Sequence, residues 1–379
     1  MRRTVKRKNK KQTNGGTRKF KPTKCQTQRT HTPVSKLNSI KLYPRQKFKI
    51  RQIAQNPTSE PVESLLKQII KQSQEITFVS ADSLYALIFK MIINEGIEVG
   101  GRSITEFIMK LCVISPEGIL YPRTWFRSEK RSYDIDKFHR EYDFLFENSQ
   151  LGICPKPIYY SIFDILSHKE IFELLIDRIP NRDTYTYLNQ LWKDLKKVKS
   201  KPSRFTKCGL GIILMEFIPG ESAKYEIDRD GIDRITNMVI VIKILYKLIL
   251  LYLNGFIHLD CHLKNIIMRP DEDNLECVLE YPEGDIRREI AIALSRYNKT
   301  AILIDFGDVA PFEEVFPDQP RIQLVDRDSM IGILQQIMGT PAYDGWFGEL
   351  DRPTLDSLIS ETPEMFDVLF DYYQQNTPL

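Results

Sequence analysis

The first 51 residues contain no aspartate and no glutamate; the first acidic side chain is Glu60. The same stretch holds 18 lysines and arginines, so the modest net charge of +4 conceals a division along the chain. Of 54 basic residues in all, 36 remain after residue 51, against 50 acidic ones. A basic tail therefore precedes an acidic body. Paired cysteines are also missing. Cys25, Cys112, Cys154, Cys208, Cys261 and Cys277 are scattered, without a CxxC pair or metal-ligand spacing. That argues against a disulfide framework or a zinc centre and for reduced thiols. The opening residues are charged and lack an apolar run, so no secretory leader is expected. One stretch, Met238 to Phe256, is apolar enough to suggest a membrane span, but Lys243 and Lys247 sit in its middle. Each would cost roughly 2.5–3.5 kcal/mol at a bilayer centre. A buried helix whose two lysines reach solvent along one edge is the expected alternative.

Residues 1–60 are rich in Lys, Arg, Thr, Gln, Asn and Pro and poor in periodic apolar residues. Such a composition cannot offset the entropy of ordering, so a disordered tail is expected. Its run RRTVKRKNKK would suit nuclear import, nucleic acid, acidic partners or an anionic membrane surface, and equally a tail that only solubilises. From Ile76 onward β-branched and aromatic residues gather in ITFV, LIFKMII and TEFIMKLCVI, three expected strands, with GIEVGGRS read as a hairpin turn. DKFHREYDFLFENS reads as a helix with Phe138, Tyr142 and Leu145 on one face. KPIYYSIF and GIILMEF read as strands on either side of a basic helical stretch near 168–201, and a long apolar helix covers 234–254. Strands first and helices later predict an α+β fold, a small sheet-based unit followed by a larger helical one.

Immediately after the apolar helix comes GFIHLDCHLKNII, with Asp260 and Asn265 five residues apart; forty residues on, the strand AILI ends in Asp305-Phe306-Gly307. An Asp and an Asn at that spacing can reach one cleft from a single loop. A second Asp at a neighbouring strand end would add another hard oxygen ligand. Phosphoryl transfer asks for little more: a carboxylate for the attacking hydroxyl, and oxygen donors for Mg2+ on the phosphates.

His258-x-Asp260-x-x-x-x-Asn265 resembles the catalytic loop of the protein-kinase-like superfamily, and Asp305-Phe306-Gly307 resembles its metal-binding motif. The resemblance runs from about residue 76 to 338. It implies a two-lobed kinase-like fold, a small antiparallel-sheet lobe over 61–217 and a helical lobe over 218–379, with ATP as phosphoryl donor, Mg2+ (or Mn2+) held by Asn265 and Asp305, and Asp260 and His262 as the catalytic residues. By the same resemblance Lys110, in EFIMKLCVI, is the lysine that holds the α- and β-phosphates. Its expected partner is Glu141, with Glu147 as second choice. The phosphate-covering loop falls on Ala81, Ser83 and Ala86, small residues of which none is glycine. Gly96 to Gly101 is another glycine cluster, but one that fits a strand-to-strand turn better. Leu214 to Gly220 is similar to the hinge, where backbone groups of Glu216 and Ile218 would bond the adenine. Asp326, at the start of a helix, is similar to the aspartate that braces the catalytic loop, and His258 and Gly307 would give structural support.

Two departures matter. The residue two after Asp260 is His262 rather than lysine, a pattern closer to aminoglycoside and choline phosphotransferases and to divergent kinases of large DNA viruses. The insert holding DEDNLE and YPEGDIRRE is expected to be an exposed extension. Only about twenty residues separate Asp305 from Asp326, without an Ala-Pro-Glu sequence, which leaves little room for a regulated segment and implies a shortened helical lobe. The expectation is thus a serine/threonine protein kinase of viral type, cytoplasmic or in the virion, or nuclear through its tail. A small-molecule phosphotransferase and a catalytically dead binding module are the competing readings.

Overall fold

The computed structural model describes residues 69–80, 86–99, 102–114, 134–164, 169–178, 209–271, 279–340 and 355–376, with isolated positions 67, 189, 193 and 343. The expected tail at 1–60 lies outside them. Alternation of apolar and polar residues produces five antiparallel strands: β1 (Ser73–Ser80), β2 (Ala86–Val99), β3 (Arg102–Ile114), β4 (Pro157–Asp164) and β5 (Gly209–Glu216). Their order in the sheet is β1-β2-β3-β5-β4, so β3 is central. Successive side chains on a strand point to opposite faces. Phe107, Met109 and Leu111 therefore fill one face of β3, while Lys110, Cys112 and Ile114 fill the other, and all six are buried.

The segment GIEVGGRS is not an eight-residue turn. β2 continues to Val99 and β3 begins at Arg102, with Ile97 opposite Ile104 and Val99 opposite Arg102 beyond a register shift. The β-branched Ile97 and Val99 suit extended pairing better than a loop, and residues 100–101 lie outside the described set.

Helix α1 (Ile135–Asn148) packs on the Lys110 face. Asp134 caps it, accepting from the amides of Asp136 and Lys137. It buries Phe138, Glu141, Phe144, Leu145 and Asn148. Tyr142, expected on that face, is half-buried and stacks on Tyr160 at 3.9 Å instead. Gly211 of β5 makes this packing possible, because a Cβ there would lie 2.7–2.8 Å from Ile114 and Phe138. Helix α2 (Lys169–Arg178) is the described part of the helical stretch expected near 168–201.

The helical part follows. Its helices are α3 (Ala223–Asp228), α4 (Arg234–Leu253), α5 (Ile286–Arg296), α6 (Phe312–Val315), α7 (Arg327–Met338), α8 (Leu355–Glu361) and α9 (Pro363–Asn376). Short strands β6 (Glu221–Ser222), β7 (Phe256–His258), β8 (Ile266–Pro270), β9 (Lys299–Leu303) and β10 (Val309–Pro311) lie between them. Among the described residues α4 is long and apolar enough to cross a membrane, yet 78% of its apolar window is buried within the protein, against α5, α7 and α9. Its lysines do not reach solvent as expected: Lys243 is 2% and Lys247 7% exposed. Every residue of α4 from Met238 to Ile249 is buried, which leaves no edge along which they could reach solvent. The insert is likewise more than an exposed extension. Its second half forms α5, whose Ile290, Ala291 and Leu294 are buried; residues 272–278 lie outside the described set.

Candidate active site

β3 sets the first component. The Lys110 ammonium, 3% exposed, lies 2.8 Å from Glu141 of α1, itself 2% exposed, and 2.8 Å from Oδ1 of Asp305. Burial alone would discourage a charge here, but the carboxylates of Asp305 and Glu141 outweigh it and hold the amine protonated far above its ordinary range. The Lys110 ammonium in turn holds the Asp305 carboxyl below its ordinary value, against burial. Glu147, the second choice for this role, is exposed.

The second component is the loop after α4. His258 is fully buried on β7; its Nε2 lies 3.0 Å from the Ile304 carbonyl, and its Nδ1 lies 3.3 Å from the Asp260 amide. The amide must donate, so Nδ1 accepts and Nε2 carries the proton. That is the neutral ring, consistent with burial pushing its pKa down. Asn265 is buried, and its Nδ2 donates to the Asp260 carbonyl at 2.8 Å, leaving the amide oxygen as an acceptor. The Asp260 side chain is exposed to solvent. Partial burial, only partly offset by His262, lifts its carboxyl above the ordinary value.

Backbone bonds lock the two loops together. The Ile304 amide donates to the Asn265 carbonyl at 2.9 Å, and β10 pairs with β7, placing Val309 opposite His258. Asp305 itself has φ +60°, the only non-glycine with positive φ among the described residues. Such a conformation costs on the order of 1 kcal/mol and persists only where the surroundings impose it. They do so here through Phe306, buried against Phe144 (ring centroids 4.5 Å) and His258 (4.9 Å).

Three expected components differ from the sequence reading or fall outside it. Ala81 and Ser83 lie outside the described residues; Ala86 is the buried first residue of β2, opposite Cys112, so it belongs to the sheet rather than to a loop. Asp326 is exposed and caps its own helix α7 in a reciprocal box with Ser329. Among the described residues it makes no bond to the Asp260 loop, a role that falls instead to Ile304 and to the β7–β10 pairing. At the expected hinge, Glu216 bonds Lys156 twice, through its amide to the carbonyl (2.9 Å) and through its carboxylate from the amide (2.8 Å). The Ile218 amide has no acceptor among the described residues. Gly220, at φ +133°, lets the chain pass β8, where a Cβ would lie 2.3 Å from the Met268 carbonyl.

Sequence reasoning missed the ion pairs Lys137–Asp308 (2.9 Å) and Arg140–Glu314 (3.0 Å), which join α1 to the segment after Asp305. The signal was available: Lys137, Arg140 and Glu141 stand at i, i+3 and i+4 on one helix. No protein-family model matches the chain, and no curated protein matches it.

Proposed function

We propose that the chain is an ATP- and Mg2+-dependent phosphotransferase with a two-lobed, protein-kinase-like organisation, acting on a Ser or Thr hydroxyl of a protein. One observation carries the reading. Lys110, Glu141 and Asp305, from a strand, a helix and a distant loop, form one ion-paired chain beside the exposed Asp260. A buried ion pair brings little net stability for its desolvation cost. A charge chain opening on a solvent-facing carboxylate is therefore better explained as a site than as a device for stability.

Among the described residues no group of three or more His, Cys, Asp and Glu side chains is placed to hold a metal. One carboxylate and one amide oxygen do not suit zinc, but they suit Mg2+, which takes one or two protein carboxylates and fills the rest with phosphate and water. Asp305, 34% exposed and using one oxygen for Lys110, would hold the ion with Asn265. When bound, Mg2+ neutralises charge on the phosphate oxygens. Lys110 would bind the α- and β-phosphates, and the open Ile218 amide would meet the adenine. Asp260 would orient the acceptor hydroxyl and take its proton as the new oxygen–phosphorus bond forms and the bond to the ADP oxygen breaks. His262, beside Asp260, stands where a lysine commonly neutralises the transferring group.

The test is labelled-ATP turnover by wild type and Asp260→Asn, with protein lysate in one arm and a panel of amino sugars and alcohols in the other. The variant should keep its melting temperature and lose roughly 100-fold to 10,000-fold in turnover. Equal turnover in both proteins would overturn the assignment; transfer only to the small-molecule panel would move the acceptor class.

A further inference from the structure

Between Phe306 and Asp328 the chain contains no serine, threonine or tyrosine. This segment follows the candidate metal loop directly, and no hydroxyl is available on it for phosphorylation. It does carry fixed carboxylates, and two of them are engaged. Asp308 pairs with Lys137, and Glu314 with Arg140, on the helix whose Glu141 holds Lys110. One helix thus meets one segment at successive points: Lys137 on Asp308, Arg140 on Glu314, Phe144 on Phe306, and Glu141 on Asp305 through the shared Lys110. The segment is anchored from behind as well. Val309 pairs across to His258, Phe312 is buried, and the Phe312 amide donates to the Gly255 carbonyl at 2.8 Å.

We infer that Lys137–Asp308 and Arg140–Glu314 form a permanent electrostatic clamp holding α1 in its working position, so that the site is assembled without covalent modification of residues 306–328 and loosens as salt rises. The inference deepens the phosphotransferase reading and rests on it for the link to turnover. The chemistry is direct. A phosphate that orders a loop does so by presenting charge to a cation on a neighbouring element. Asp308 and Glu314 present that charge constitutively. Because both pairs are partly exposed, ions screen them, whereas the buried Lys110–Glu141 pair is screened far less. Lys137 and Arg140 are positioning residues: they act through Glu141 and touch no substrate.

Two measurements on the full chain separate the clamp from the reading beneath it. The first is hydrogen exchange at the α1 amides, which needs no turnover. Exchange should rise in Lys137→Glu and Arg140→Glu, and return to the wild-type level in the swapped pairs Lys137→Glu/Asp308→Lys and Arg140→Glu/Glu314→Arg. Unchanged exchange in the single variants, or swaps that fail to restore it in a protein with wild-type melting, would overturn the clamp. The second is turnover at saturating ATP from about 0.1 M to about 1 M NaCl, across which the screening length falls from about 10 Å to about 3 Å. Each single reversal should lower kcat by about threefold to tenfold, and the double neutral variant Lys137→Gln/Arg140→Gln should flatten the salt dependence. A salt dependence equal to wild type in that variant also overturns the clamp. Absence of any wild-type turnover at low salt instead refutes the phosphotransferase reading, whatever the exchange data show.

Discussion

Replacing Lys247 by methionine should stabilise the protein at neutral pH, and the gain should shrink as pH rises. Lys247 lies on α4, 7% exposed; among the described residues its ammonium faces the Tyr246 ring at 5.5 Å but has no hydrogen bond or ion pair. Burial, then the positive charges of Arg269 and Lys243, push its pKa from 10.5 down to about 8; Asp271 and the Cys154 thiol oppose the shift weakly. At pH 7 folded and unfolded chains both carry the proton, and the folded chain must keep a desolvated ammonium. A displacement from 10.5 to about 8 corresponds to a penalty of roughly 3 kcal/mol. Above about pH 8 the folded state releases the proton, while the unfolded state keeps it until near 10.5. The unfolded state then binds more protons, so stability rises with pH across that window. Methionine keeps the unbranched shape without the charge.

The assay is urea unfolding of both proteins at half-unit steps from pH 7 to 10. Only the difference between them is informative, because other buried groups titrate there too. The thiols of Cys112, Cys154 and Cys261 are all pushed up by burial from an ordinary value of 9.0, so they ionise first in the unfolded state and lower stability as pH rises. The contributions of Cys112 and Cys261 are common to both proteins and cancel; that of Cys154, which the Lys247 charge lowers, is not, so both proteins carry Cys154→Ala in this comparison. The variant should be more stable by about 3 kcal/mol at pH 7, and the curves should converge toward pH 10. A difference that stays flat with pH, or a variant less stable at pH 7, would refute the claim that the ammonium is buried without an acceptor.

Lys110→Met should destabilise the chain by about 3–5 kcal/mol, read as a lowered thermal midpoint, because the buried Glu141 and the half-buried Asp305 both lose the ammonium that neutralises them; adding Glu141→Gln should recover part of the loss. Gly211→Ala should cost about 1–3 kcal/mol in urea unfolding, since the new methyl group meets Ile114 and Phe138 at 2.7–2.8 Å. Cys112, Cys154 and Cys261 should alkylate slowly with iodoacetamide at pH 8 and rapidly in urea, followed by peptide mapping, because burial raises each thiol, that of Cys261 to about 12.

What the sequence disclosed depended on how local the signal was. The strands around Lys110 were legible from alternation, and α1 and α4 from their apolar periodicity. The placement of Asp260 and Asn265 on one loop and of Asp305 just past a strand end was legible from their spacing. That Lys110 needs a carboxylate was legible as chemistry, since a buried ammonium must be paired; that Glu141 supplies it came from the resemblance. The environment of Lys247 was not. Nothing in the periodicity of α4 says what covers its polar edge; that is decided by distant parts of the chain, near Cys154 and Arg269 for Lys247 and at Tyr372 for Lys243, whose ammonium lies 3.2 Å from the tyrosine hydroxyl. The role of α5 was hidden for the same reason, its apolar face being short and set within a charged stretch. Asp326 misled in another way. An aspartate before a helix is explained by its own cap, and the Asp326–Ser329 box consumes it locally.

The burial of Lys243 and Lys247 bears on the site as well as on the core. α4 leads through Gly255, at φ +85°, directly into β7 and His258, so the position of the Asp260 loop is inherited from the end of this helix. The helix carries two buried ammonium groups at a cost that hydrophobic residues would avoid. Its seat is still strongly determined, by 14 buried residues and by Tyr252 at its end, whose hydroxyl accepts from the Ile322 amide at 2.8 Å. That amide belongs to the chain returning from Asp305 toward α7. Tyr252 therefore links the helix to both strands of the candidate site, one through the backbone it precedes and the other through its hydroxyl. Disturbance in α4 should reach Asp260 and the Asp305 segment together, rather than either alone.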